Sequence, residues 1–187
     1  MERSKVKDLE KWYKSKFRKP LVIWGARQIG KTYLVKELFA KRFFHDFVYI
    51  DLKKDDDACK FFSTTCNPEE YLKYIQVRYG KKITPEIPLI FDEVQQCHQV
   101  LSSLKYFCQD YRELPVIVTG SMVRLAIRQI ETNNKNEDFL FPVGKIDSMN
   151  LYPVSFGEYL ENVNPILLEM IKDSYNKKTQ LQNSYHE

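Results

Sequence analysis

Apolar residues along the chain fall into two rhythms. Short continuous runs at residues 21–24 (LVIW), 47–52 (FVYIDL), 87–92 (IPLIFD) and 115–119 (PVIVT) read as strands buried on both sides. Between them, residues 31–44, 68–78, 100–111 and 122–130 space their apolar positions for helices. Leu34, Val35, Leu38 and Phe39 share one side of the first, and Pro68 with Glu69 and Glu70 opens the second. Residues 2–19 precede this series, with Val6, Leu9, Tyr13 and Phe17 at helical spacing among eight basic residues. That segment is expected to dock an apolar stripe on the core, a phosphate-binding arm being the alternative. A polar loop at 131–138 (ETNNKNED) leads into a fifth strand region within 139–156. Ser155 and Glu158 then match a capping box for a helix to Asn162, and Asn164 with Pro165 starts another (ILLEMIKDSY) before a polar tail. Strands alternating with helices predict an α/β chain with a mainly parallel sheet of about five strands covered on both faces. The expected division is an N-terminal helix at 1–19, a core at 20–163 and a C-terminal helix and tail at 164–187.

Length and composition fit that reading. A chain of 187 residues makes one domain, and 43% hydrophobic with 14% aromatic residues supports a real core. The net charge of +4 permits a nucleic acid or anionic surface as partner without demanding one. The uncharged stretch at 114–123 is about half of what a bilayer span requires, so no membrane is expected. The start MERSKVKDLEKWYK shows no secretory h-region, and a cytoplasmic location is expected. Cys59, Cys66, Cys97 and Cys108 form no C-x-x-C pair and are read as reduced, mostly buried thiols, and His45, His98 and His186 fit no metal pattern. Cys97-His98 is read as packing rather than as a nucleophile with its base.

One segment carries sharp chemistry. Gly25-Ala26-Arg27-Gln28-Ile29-Gly30-Lys31-Thr32 is a full G-x-x-x-x-G-K-T between an apolar strand and an amphipathic helix. Glycines let the backbone curl until successive N–H groups point at phosphate oxygens, and the helix N-terminus adds partial positive charge there. Lys31 can reach β- and γ-phosphates, and the Thr32 hydroxyl can ligand Mg²⁺. The bland alternative is a glycine-bounded turn before an ordinary helix.

Two further strand ends belong to the same edge of a parallel sheet, where ligands bind. Leu89-Ile90-Phe91-Asp92-Glu93 ends in adjacent carboxylates, Asp92 being assigned to Mg²⁺ and Glu93 to activation of a water. Val116 to Ser121 ends in hydroxyls. Thr119 and Ser121 can sense a γ-phosphate or orient the attacking water, or can cap the helix that follows.

The segments WGARQIGKT, IFDEVQQC, VTGS and FPVGKIDSMNLYPVSFGEYL, in that order, resemble the AAA-type ATPase domain of prokaryotic ATP-binding proteins, over about residues 18–160. The resemblance implies a three-layer P-loop NTPase fold of AAA+ (ASCE) type, with ATP and Mg²⁺ as cofactors. It implies the roles above for Lys31, Thr32, Asp92 and Glu93, with Thr119 or Ser121 as polar sensor. It further implies an unidentified protein or nucleic-acid partner and a possible homo-oligomer, and that the chain is an ATPase core lacking the additional C-terminal domain these proteins usually carry. Relatives often have Gly-Arg where this chain has Gly144-Lys145, and a lysine lacks the planar two-pronged phosphate contact of an arginine. Arg124 and Arg128, just past the sensor strand, are read as part of a solvated helix face, a cation for a neighbouring subunit's nucleotide being the alternative.

The alternatives are of different classes. A GTPase would need N-K-x-D, and Asn134-Lys135-Asn136-Glu137 ends in the wrong acid with no strand before it. A small-molecule kinase would pass the γ-phosphoryl group to a hydroxyl, whereas Glu93 beside Asp92 favours water as acceptor. A nucleotide-gated interaction module would bind ATP with negligible turnover.

Overall fold

The computed structural model describes residues 1–121 and 144–177. The helix expected at 122–130, Arg124, Arg128, the polar loop with Asn134 to Glu137, and His186 lie outside the described residues. The chain divides into two compact units, Lys5–Tyr152 and a smaller one of Met1–Ser4 with Pro153–Glu187.

In the larger unit five strands, β1 (Leu21–Trp24), β2 (Val48–Asp51), β3 (Leu89–Asp92), β4 (Val116–Thr119) and β5 (Asp147–Asn150), form one sheet. Every pairing is parallel, and the order is β2-β3-β4-β1-β5. The runs at 87–92 and 115–119 lose their first residues because proline marks the lower edge. Pro20, Pro88 and Pro115 directly precede β1, β3 and β4, where only their carbonyls are needed, and these accept from Asp147, Val48 and Leu89 respectively.

Alternation within the strands makes two cores. Leu21, Ile23, Ile90, Ile117 and Met149 face α1 (Lys5–Lys14) and α2, which winds as a π-helix over Tyr33–Ala40 and ends in an α-helical turn, Lys41–Phe43. Val22, Val48, Ile50, Leu89, Phe91, Val116 and Val118 face α3 (Asp56–Phe62), α4 (Pro68–Tyr79) and α5 (His98–Asp110). A sheet between two helical layers is the three-layer α/β architecture expected.

Three features differ from expectation. The α2 segment was expected as an ordinary helix, but its apolar pairs 34/35 and 38/39 recur every four residues, a spacing that α and π winding both satisfy. Helix α3 was not anticipated, because seven residues with two buried positions, Ala58 and Phe62, are too short to show a period. The stripe assigned to residues 2–19 is corrected at its end. Helix α1 stops at Lys14, so Phe17 leaves the common face and is 78% exposed, while Trp12 joins Val6 and Leu9 in the core.

In the smaller unit, Ser155 and Glu158 form the expected capping box on α6 (Phe156–Val163), and Asn164 caps α7 (Pro165–Lys177) by accepting from the Leu167 amide. Glu158 also ties down the chain start. Its Oε1 accepts from the Ser4 amide at 3.0 Å and the Ser4 hydroxyl at 2.8 Å, with Arg3 Nε at 3.4 Å.

Two outcomes are expected. Phe17→Ser changes unfolding free energy by less than about 0.5 kcal/mol, whereas Trp12→Ala costs about 3 kcal/mol or more in denaturant titration. Burial would raise the Glu158 carboxyl, but the bonds from Ser4 and Ser155 and the Arg3 charge outweigh it and hold the group at about 2. A depressed folded value means the tie is intact above the ordinary value of 4.5 and lost as pH falls from there towards 2. Protection of the Ser4 amide, corrected for intrinsic exchange, should fall across that window and become pH-independent in Glu158→Gln.

Candidate functional site

All strands being parallel, β1, β3 and β4 end on one edge, and the segments following them meet there. The loop 25–32 leaves β1 under tight constraint. A Cβ on Gly25 would lie 2.7 Å from the Leu151 carbonyl oxygen and 2.4 Å from Ile29 Cδ1, so only glycine fits. Gly30 turns the chain into α2 at φ 87°, a left-handed conformation natural to glycine, and Gln28 takes φ 60° without that freedom. Ile29 anchors the loop by packing on the α2-side core, while Ala26, Arg27 and Gln28 are exposed.

Lys31 folds back across this loop. It is 8% exposed, and its Nζ donates to the carbonyls of Ala26 at 2.6 Å and Gly25 at 3.0 Å. Burial lowers the ammonium's pKa, and the charges of Glu93 and Asp92 oppose that shift. Lys31 is thus a partly desolvated cation whose charge is balanced by the two acids beside it.

Asp92 is the centre of the arrangement. It is 3% exposed, and its side chain accepts four hydrogen bonds. Oδ2 takes the Thr32 hydroxyl at 2.5 Å and the Tyr49 hydroxyl at 2.8 Å. Oδ1 takes the Thr119 hydroxyl at 2.5 Å and the Glu93 amide at 2.9 Å. Burial, then the Asp92 charge, pushes the Tyr49 phenol well above its ordinary value, so it stays a donor.

Glu93 sits just beyond the strand at φ 54°, left-handed for a residue with a Cβ. Its carboxylate accepts from the Gln95 side-chain amide, and a 3₁₀ turn over Val94–Gln96 follows. Cys97 closes that turn, 1% exposed and beside Ser63 Oγ at 3.3 Å, with burial raising its thiol to about 11. So protonated a thiol is a packing group. All four cysteines are free; Cys97 and Cys108 are buried, whereas Cys59 and Cys66 are half-buried.

A cavity of about 350 Å³ opens at this edge. Lys31 and Arg27 contribute cations to its wall, Thr32 and Ser121 hydroxyls, Asp92 and Glu93 carboxylates, with Gln28, Gly30 and Tyr33 completing it. Gly25, Ala26 and Ile29 do not line it and act by shaping the loop. Thr119 is wholly buried behind Asp92, whereas Ser121 Oγ is buried without a partner among the described residues. A turn at Gly144 (φ 79°) leads to β5, and Lys145 beside it is exposed.

Tyr49 and Gln95 were not anticipated. Tyr49 shows in the sequence only as one polar tip inside FVYIDL, and its meaning depends on β2 lying next to β3 with Asp51 opposite Asp92. Among the described residues no cluster of three or more His, Cys, Asp or Glu could hold a metal. The oxygen pair of Thr32 and Asp92 suits a cation that keeps most of its ligands as water and phosphate, as Mg²⁺ does.

The family of the AAA domain matches residues 17–160, and the chain belongs to that family, the nucleotide-binding AAA-type ATPases. No curated protein matches the chain. Among solved structures it is similar to one described as the structure of C. elegans PCH-2, at 15% identity and a TM-score of 0.41. That likeness covers 89% of this chain and 42% of the other, so the chain spans less than half of that neighbour's length. No helix among the described residues is long and apolar enough to cross a membrane.

The Asp92 shell yields a stability prediction. Asp92→Ala strands three hydroxyls and an amide and should cost about 2–3 kcal/mol in urea unfolding without nucleotide. Asp92→Asn should cost about 1 kcal/mol, because hydroxyls can turn to accept from the new amide while its oxygen keeps the Glu93 N–H.

Proposed function

We propose that this chain binds ATP with Mg²⁺ and hydrolyses it, coupling nucleotide state to an unidentified protein or nucleic-acid partner, with assembly into a homo-oligomer as a further possibility. The observation carrying the reading is the 2.5 Å bond between Thr32 at the head of α2 and Asp92 at the end of β3, with Lys31 and Glu93 on the wall of the same cavity.

Each residue then has a task. The amides of 27–31 at the curled loop and the start of α2 cradle phosphate oxygens. Lys31 exchanges two neutral carbonyl partners for phosphate, a stronger charge-assisted bond. Thr32 and Asp92 would hold Mg²⁺, which supplies charge neutralisation across the phosphates. Glu93 accepts a proton from the attacking water, and release from Gln95 frees its second oxygen for that. The unpartnered hydroxyl of Ser121 can bond the terminal phosphate, while Thr119 positions Asp92 from behind. ATP rather than GTP follows from the family resemblance.

Lys31→Ala should weaken binding of ATP in equilibrium titration, and unchanged affinity would remove the site assignment. Glu93→Gln should keep the affinity and lower phosphate release at least about a hundredfold, the scale of a lost general base. Equal release by both proteins would make the chain a nucleotide-gated module, and a phosphorylated small molecule in place of free phosphate would make it a kinase.

A further inference from the structure

The two oxygens of an ionised carboxylate offer about four acceptor sites. Around Asp92 four donors fill them: the hydroxyls of Thr32 and Tyr49 on Oδ2, the hydroxyl of Thr119 and the amide of Glu93 on Oδ1. A carboxylate so occupied has no site left for a direct bond to a cation. It can act only through the Thr32 oxygen or through water.

Cations differ in how well they tolerate that. Mg²⁺ surrenders its water reluctantly and is content with a carboxylate outside its shell, whereas Ca²⁺ draws on six to eight oxygens and favours direct carboxylate bonds. Three of the four donors belong to the segments that build the cavity edge. The fourth comes from β2 and is held from both sides: the β2–β3 register sets Tyr49 opposite Ile90, and Lys36 Nζ lies 4.5 Å above its ring.

We propose that Tyr49 is a positioning residue that makes the site selective for Mg²⁺ over larger divalent cations, by occupying the acceptor site on Asp92 Oδ2 that a larger cation would use. The proposal rests on the nucleotide and metal reading above. Removing the phenolic hydroxyl opens one site on the oxygen shared with Thr32, and the carboxylate becomes able to bind a cation directly.

The experiment titrates a fluorescent ATP analogue into the full chain and into Tyr49→Phe, in Mg²⁺, in Ca²⁺ and in EDTA. In the wild type, Mg²⁺ should strengthen binding well beyond Ca²⁺. In Tyr49→Phe that preference should narrow about tenfold, the effect of one hydrogen bond to a charged group, with binding in EDTA unchanged and the melting temperature lowered only by the few degrees that one lost hydrogen bond costs. A preference unaltered by the substitution, or an equal loss in all three media as a merely structural role would produce, overturns the proposal. Should Tyr49→Phe fail to fold, Lys36→Met, which removes the cation holding the Tyr49 ring in place, should narrow the preference in the same direction; no change there also overturns it. A wild type whose binding gains nothing from Mg²⁺ sinks the parent reading as well, and so is told apart from failure of the Tyr49 inference alone.

Discussion

A buried carboxylate with every lone pair engaged is what the site depends on. Leaving a charge out of water is costly unless it is hydrogen-bonded, and Asp92 meets that condition by drawing donors from the head of α2, from β2, from β4 and from its own neighbour. Each donor sits on a different segment of chain. The requirement to solvate one anion therefore fixes the relative positions of four parts of the fold, and the cavity is the space left beside them.

The loop after β1 is held by a second set of constraints that leaves it little freedom. Gly25 passes so close to Leu151 and Ile29 that a methyl group would not fit, Gly30 turns left-handed, and the Lys31 ammonium spans the loop's own carbonyls. Such pre-shaping reduces the ordering that an incoming phosphate would otherwise require. The unusual backbone of Gln28 and Glu93 falls on the two segments that face the cavity, consistent with strain concentrated where geometry matters most.

Membership of the AAA family and a parallel sheet with the loop at its upper edge define a nucleotide-binding class. The smaller unit offers α6 with Phe156, Tyr159 and Val163 exposed on it, and a chain start fastened by Glu158. These are features of surface and anchoring rather than of phosphate chemistry.

Much of this was legible in the residues alone. The strands at 21–24 and 115–119, the proline-led helix from residue 68, the capping box at 155–158 and the eight-residue loop each depend on neighbours within a few positions, and local chemistry is written locally. What sequence could not supply was adjacency. Tyr49 acquires a role only because β2 pairs with β3, and the parting of Thr119 from Ser121, one behind Asp92 and one on the cavity wall, depends on the depth at which β4 ends. The outward turn of Phe17 reflects a helix that stops early to bring residue 20 to the sheet. In each case the deciding contact joins residues far apart in the chain, and only packing of the whole brings them within hydrogen-bonding reach.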